Sequence, residues 1–143
     1  MKNNFSWKVI FFLVFFTNFW SVYSEELRFE ATSIEIEDKD KIITAKQGVK
    51  ILSGDEIIID ADNMRYNKEE KFLQANGNIT IRNKLENIEI KSDKIAYDKK
   101  IEKIISSGNV EIKFNNNYTL ATKEIIYLKN SGEILINYDS KIT

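Results

Sequence analysis

The stretch Ala75-Asn76-Gly77-Asn78-Ile79-Thr80-Ile81 decides the fold, because a similar stretch stands at nearly the same distance on either side of it. The earlier copy is Ala45-Lys46-Gln47-Gly48-Val49-Lys50-Ile51, and the later copy is Ser106-Ser107-Gly108-Asn109-Val110-Glu111-Ile112. The glycines of the three copies are 29 and 31 residues apart. A period of about 30 residues indicates one supersecondary unit that is stacked on itself.

A second block keeps the same period and ends in an aromatic column. Its copies end at Ile36, Tyr66, Tyr97 and Tyr127, which are 30, 31 and 30 residues apart. We expect the three tyrosines to form a stacked aromatic core, in preference to a platform for a ligand. Two blocks that share one period make a chance match unconvincing.

The repeating unit is predicted to consist of β-strands. Apolar residues alternate with Lys, Glu, Asp, Asn or Thr, so one set lies on a single face of a sheet. Turn clusters of two to five residues favour antiparallel neighbours. We therefore predict an all-β, open, two-layer jellyroll of about 12–14 short, mainly antiparallel strands. The residues predicted to line the apolar interior are Ile34, Ile36, Val49, Ile51, Ile57, Ile59, Met64, Tyr66, Ile79, Ile81, Ile88, Ile90, Ile95, Tyr97, Val110, Ile112, Leu120, Ile125 and Tyr127.

The repeated glycine and the repeated aspartate are both interpreted as structural residues. Each repeated glycine precedes a strand, where it provides either a positive φ in a β-bulge or an ordinary hairpin turn, and the sequence favours neither. Asp62 and Asp93 hold equivalent places in successive copies, whereas Thr32 and Lys123 hold that place elsewhere. A position that accepts Asp, Thr and Lys is not that of a catalytic acid, so we expect these aspartates to cap turns through backbone amides.

Composition excludes several classes of function. The chain has no cysteine and no histidine, which removes disulfides, thiol nucleophiles, imidazole bases and the common zinc sites. Its net charge of −1 argues against nucleic-acid binding. The acidic runs lack the spacing of a calcium loop. We therefore predict no catalytic residues, no metal and no cofactor.

The N-terminus has the pattern of a secretory signal. Lys2 and Lys8 precede an apolar run over residues 9–20, and Val22 and Ser24 are small enough for a signal peptidase site. We predict a signal peptide over residues 1–24 and a folded domain over 25–143. The alternative is an uncleaved membrane anchor, although the run is shorter than the roughly 20 apolar residues of a spanning helix.

The repeated block resembles the OstA-like (organic solvent tolerance) domain family. The clearest copies run from Asp62 to Ile81 and from Asp93 to Ile112, and the resemblance extends over about residues 27–136. It implies a β-jellyroll shaped like an open taco, whose apolar interior carries the acyl chains of lipopolysaccharide in the periplasm. It also implies edge-strand pairing with other OstA-like domains and association with the outer-membrane lipopolysaccharide translocon. On this interpretation the inward residues line a lipid groove, and the chain is not an enzyme.

The resemblance leaves alternatives open. The chain is either a periplasmic bridge protein or an N-terminal part of the outer-membrane assembly protein, because Tyr138-Asp139 stand where the next glycine is due and the sequence stops at Thr143. An inner-membrane component with an uncleaved helix is a third member of this class. Outside it remain a polysaccharide-active enzyme on a β-scaffold and a structural surface repeat.

Overall fold

The structure is a computed structural model that describes residues 26–115 and 117–136 and the backbone of 141–142. Every regular element in these residues is a β-strand, so the predicted all-β class is confirmed. The strands are β1 (Leu27–Glu30), β2 (Ser33–Glu37), β3 (Ile42–Ser53), β4 (Ile57–Asn67), β5 (Phe72–Asn83), β6 (Ile88–Asp98), β7 (Lys103–Phe114), β8 (Tyr118–Leu128), β9 (Glu133–Ile136) and β10 (Lys141–Ile142). The predicted signal peptide lies outside the described residues.

All strand pairs are antiparallel, and the six long strands β3 to β8 form a meander in chain order. Two short strands share each end of the sheet. At one end β1 pairs with residues 50–53 of β3, and β2 pairs with residues 42–46 of the same strand. At the other end β9 and β10 both pair with β8. The two end strands β3 and β8 therefore meet a different short strand along each of their halves.

A β-bulge near the middle of each long-strand pair bends the sheet. The register shifts after Lys46, Asp60, Asn76, Lys91 and Ser107, once in each of the five pairs. A bulge bends a strand and increases its twist without ending it. The number of strands consequently differs from the predicted 12–14: the described residues form ten, because pairs of expected short strands are the halves of single long ones.

The bulge explains the repeated glycine, for which the sequence left two interpretations. Gly77 has a φ of +80° and Asn78 one of +47°, and Gly108 and Asn109 repeat this pair. A Cβ on Gly77 would lie 2.3 Å from Asp62 Oδ2 of the neighbouring strand. The glycine is thus required by a left-handed backbone and by close packing against a side chain, not by a hairpin turn.

The prediction that Asp62 and Asp93 bond to backbone amides was wrong, because their hydrogen-bond partners are side chains. Each carboxylate accepts a hydrogen bond from a side-chain amide across the bulge, from Asn78 Nδ2 at 2.8 Å and from Asn109 Nδ2 at 2.8 Å respectively. They therefore bridge two strands at the bend and do not cap a turn through backbone amides. Asp, Gly and Asn recur together because they form one structural unit.

The bends divide the sheet into two layers. Layer A contains β1, β10 and the strand halves nearest to the connections β3–β4, β5–β6 and β7–β8. Layer B contains β2, β9 and the halves beside the turns at 38–41, 68–71, 99–102 and 129–132. The bulges form the closed edge between the layers. The opposite edge, where the turns of the two layers face each other, is called the seam below.

One apolar cluster fills the space between the layers. Ile59, Ile81, Ile90 and Ile112 of layer A are at most 1% exposed. In layer B, Leu73 and Ile104 are completely buried. Each fully buried isoleucine contributes roughly 1.5–3 kcal/mol, so the burial of these two inner faces stabilises the folded sheet.

Candidate functional site

Most residues predicted to line the interior lie there. Fifteen are buried in the cluster between the layers: Val49, Ile51, Ile57, Ile59, Met64, Ile79, Ile81, Ile90, Ile95, Tyr97, Val110, Ile112, Leu120, Ile125 and Tyr127. Tyr66 and Ile88 are half-buried and pack against its edge. The alternation in the sequence therefore assigned the inner face correctly at these positions.

Ile34 and Ile36 differ from the others, because they are 46% and 57% exposed. Both lie on β2, where Ile34 stands opposite Ala45 and Ile36 opposite Ile43. Directly opposed residues of an antiparallel pair project from the same face, so both isoleucines belong to the inner face of layer B. Neither belongs to the buried cluster between the layers.

Several inner-face residues were not among the predicted lining. Ala45, Leu73 and Ala75 continue the same alternation, which would have identified them. Ile43 and Ile104 each have an isoleucine as a neighbour in the sequence, so a pattern of period two cannot tell which of the pair faces inward. Register resolves this, because Ile43 is opposite Tyr66 and Ile104 is opposite Tyr97.

The tyrosine column exists, but its rings are not stacked on one another. Leu73 separates Tyr66 from Tyr97, and Ile104 separates Tyr97 from Tyr127 along the sheet. Equivalent residues two strands apart are roughly 10 Å apart, which is too far for ring contact. The prediction of a stacked core was therefore wrong. The aromatic partner of Tyr66 is Phe29 of layer A, with ring centroids 5.4 Å apart.

Tyr127 instead connects the two layers at the seam. Its hydroxyl accepts a hydrogen bond from Asn83 Nδ2 at 2.8 Å and donates one to Glu86 Oε2 at 2.7 Å. Burial, and then the bond to Glu86, raise the pKa of Tyr127 to about 12. The neutral phenol that donates to the carboxylate is therefore strongly favoured at neutral pH.

Tyr97 makes the equivalent connection one repeat earlier. Its hydroxyl lies 3.0 Å from Ser53 Oγ of layer A and donates to Glu102 Oε2 of the adjacent turn. Glu102 also accepts from Lys99 Nζ at 2.7 Å. Two successive repeats thus close the seam with one polar bridge each, between residues that are 44 positions apart in both cases.

A groove remains open at the N-terminal end of the seam. Its apolar wall consists of Leu27 and Phe29 of layer A and Ile43 and Tyr66 of layer B, and it encloses about 470 Å³. That volume falls in the range of roughly 300–1,000 Å³ usual for small-molecule sites. Burial raises the pKa of Tyr66, so its hydroxyl is a neutral group at the groove edge.

The described residues contain few polar groups that are available to bind a metal or to act on a substrate. They contain no cluster of three or more acidic residues placed to hold a metal ion. The polar groups at the seam, Asn83, Glu86, Tyr97, Glu102 and Tyr127, already bond to one another. Nor do the described residues include a helix long and apolar enough to cross a membrane. The interior offers one apolar cluster that borders the N-terminal groove.

A solved structure with this architecture is that of LptH from Pseudomonas aeruginosa. It is described as the LptA-homologous periplasmic component of the conserved lipopolysaccharide transport device. The two structures superpose with a TM-score of 0.72 at 12% sequence identity, over 83% of this chain and 94% of that one. The two proteins share a fold. The predicted open two-layer β-jellyroll is thereby confirmed. No family model matches the chain, and no curated protein matches it.

Proposed function

We propose that this chain is a periplasmic lipid-carrying domain of lipopolysaccharide transport, and that it is not an enzyme. The observation that carries the proposal is that the apolar inner face continues beyond the closed core into exposed positions, at Ile34 and Ile36. The shared fold with LptH and the signal-like N-terminus support the same function.

Acyl chains would enter where the layers are apart. In the middle of the domain the two apolar faces already touch, because Ile51, Ile81 and Ile112 are at most 1% exposed. At the N-terminal end, the groove lined by Leu27, Phe29, Ile43 and Tyr66 stays open between the layers, and Ile34 and Ile36 of β2 add exposed apolar surface. A lipid would keep its polar headgroup in water at the seam while its tails lie against this surface.

The ends of the sheet fit a bridge made of several domains. β1 and β2 each pair with β3 alone, and β9 pairs with β8 alone, so within the described chain one edge of each of these strands carries no partner. Unpaired backbone groups at an edge are a template for strand addition. The outer edges would pair with other OstA-like domains and, at the outer membrane, with the lipopolysaccharide translocon.

Site-specific photo-crosslinking with lipopolysaccharide tests the proposal. A photoreactive residue at Ile36 should crosslink the lipid, because that side chain lies on the inner face. The matched control is Glu35, which is also exposed but points to the opposite face of the same strand. Equal crosslinking at both positions, or none at either, would contradict lipid carriage by the inner face.

A further inference from the structure

The two sides of the seam carry opposite charge. The four turns of layer B contain seven lysines and five carboxylates, whereas the turns of layer A contain one lysine and three carboxylates. Both sides run along the opening of the apolar interior. An anionic group at this opening is therefore attracted to the layer B side and repelled by the layer A side.

A row of lysines runs along the layer B side. Lys68, Lys99 and Lys129 begin successive turns, and each backbone N–H donates to a carbonyl oxygen of the preceding turn, at 2.9, 3.0 and 2.9 Å. The row has a spacing of roughly 10 Å, two strand widths. Lys99 and Lys129 are directed at Glu102, with their Nζ atoms 2.7 and 3.9 Å from its carboxylate.

Lys68 is the exception in this row. Neither it nor Lys71, at the end of the same turn, forms an ion pair with any residue that the structure describes, and both are exposed. In the same turn, Glu69 forms an ion pair with Lys41, whose Nζ lies 2.8 Å from Glu69 Oε1. Glu70, between them in the sequence, is exposed and forms no ion pair with either lysine among the described residues, and unlike them it does not line the groove. The turn therefore presents to the groove two ammonium groups that are not held in ion pairs.

These two ammonium groups lie at the rim of the N-terminal groove. Lys68 and Lys71 line it together with Lys99, and Glu26 is the one acidic residue among the described residues that line it. The groove wall below them is apolar, formed by residues such as Phe29 and Tyr66. A cationic rim above an apolar wall is complementary to an amphiphile with an anionic headgroup.

We infer that Lys68 and Lys71 bind a phosphate of the headgroup of the carried lipid, while one of its acyl chains occupies the groove. The inference rests on the proposed function and adds the orientation of the lipid, with the headgroup on layer B at the N-terminal end. Ammonium groups bind phosphate oxygens through charge-assisted hydrogen bonds. The adjoining apolar wall excludes water and strengthens that attraction.

Equilibrium binding to two lipids tests this inference. The probes are bis-phosphorylated lipid A and the same lipid after removal of both phosphates. The full chain should bind the phosphorylated lipid about tenfold more tightly. Substituting both lysines (Lys68→Gln with Lys71→Gln) should abolish that preference and leave the affinity for the dephosphorylated lipid within about twofold. Lys50→Gln with Lys123→Gln is the matched control, since both residues are exposed lysines away from the groove.

The outcomes separate the inference from the proposed function. If the wild-type chain binds both lipids equally, or if the Lys68/Lys71 variant keeps the preference, the headgroup site is refuted while lipid carriage stands. If the chain binds neither lipid, the proposed function fails. Inorganic phosphate is a further probe: displacement of the lipid by millimolar phosphate alone would show a site for free phosphate and would overturn the assignment to a lipid.

Discussion

Asn83 of layer A and Tyr127 of layer B are 44 residues apart, yet the Asn83 side-chain amide donates to the Tyr127 hydroxyl at 2.8 Å. They lie on β5 and β8, which are not neighbours in the sheet, so the bond joins the two layers directly. Ser53 and Tyr97 repeat the relationship one unit earlier. The seam is therefore closed by specific polar bridges as well as by apolar contact.

Removing one bridge should weaken the closed domain. We expect Tyr127→Phe to lower the free energy of unfolding by about 1–2 kcal/mol, because Asn83 loses an acceptor and Glu86 a donor while the ring stays buried. Urea unfolding measures the change. Tyr118→Phe is the control, since Tyr118 is 65% exposed, and it should change stability by less than about 0.5 kcal/mol. Equal effects of the two variants would contradict a closing role for Tyr127.

Stability should decrease at high pH through the same residue. Burial and Glu86 raise the pKa of Tyr127 from its usual 10.0 to about 12. The folded state then holds the proton more tightly than the unfolded state, so this contribution is complete below pH 10 and is lost as pH rises to 12. The loss cannot exceed about 1.4 kcal/mol per pH unit, because only one proton is linked to it.

Unfolding measured at several pH values checks this expectation. The free energy of unfolding should fall more steeply above pH 10 for the wild type than for Tyr127→Phe. Ultraviolet absorbance of tyrosinate, compared between these two proteins, assigns the titration to Tyr127. Identical pH dependence in both would exclude this residue as the source.

The bulge glycines should differ in their tolerance of a side chain. Both Gly77 and Gly48 have a positive φ, of +80° and +67°, but a Cβ on Gly77 would lie 2.3 Å from Asp62 Oδ2, whereas a Cβ on Gly48 meets nothing within 4 Å. Backbone strain alone costs roughly 1–2 kcal/mol, and displacing Asp62 from Asn78 adds about 1 kcal/mol. Gly77→Ala should therefore destabilise more than Gly48→Ala in thermal or urea unfolding. A reversed order would contradict the Asp62 packing.

Inner and outer isoleucines should behave differently. We expect Ile81→Ala to cost about 2–5 kcal/mol, because Ile81 is 1% exposed and its removal leaves a cavity. Ile101 is 58% exposed at the tip of a turn, so Ile101→Ala should cost less than about 0.5 kcal/mol. Chemical unfolding of both variants provides the comparison. A small cost at Ile81 would mean that the two layers are not packed together.

The sequence predicted the parts of this fold that depend on short-range pattern. The period near 30 residues identified the repeat, and alternation placed residues such as Ile59 and Ile112 inside. The strand count was less accurate, because a bulge looks like a strand end when only the pattern is read. The sequence also could not show which of Ile104 and Ile105 faces inward, because both are apolar and an alternating pattern fits either choice.

Contacts between the two layers could not be predicted from the sequence. Ser53–Tyr97 and Asn83–Tyr127 depend on how the bent sheet folds over itself, and no local pattern encodes that. The partner of Asp62 was missed in the same way, because Asn78 meets it only across the bulge. The exposure of Ile36 was missed as well, because alternation assigns a residue to one face of a strand but does not show whether another layer covers that face.

Each unit of about 30 residues brings its own bulges and turns, and two successive units also bring a polar bridge, so the number of units can change without changing the architecture. A tandem duplication of residues 62–92 would insert two strand widths, roughly 10 Å, between ends that keep their present sequence. Chains of one architecture can in this way be matched to gaps of different width by counting repeats.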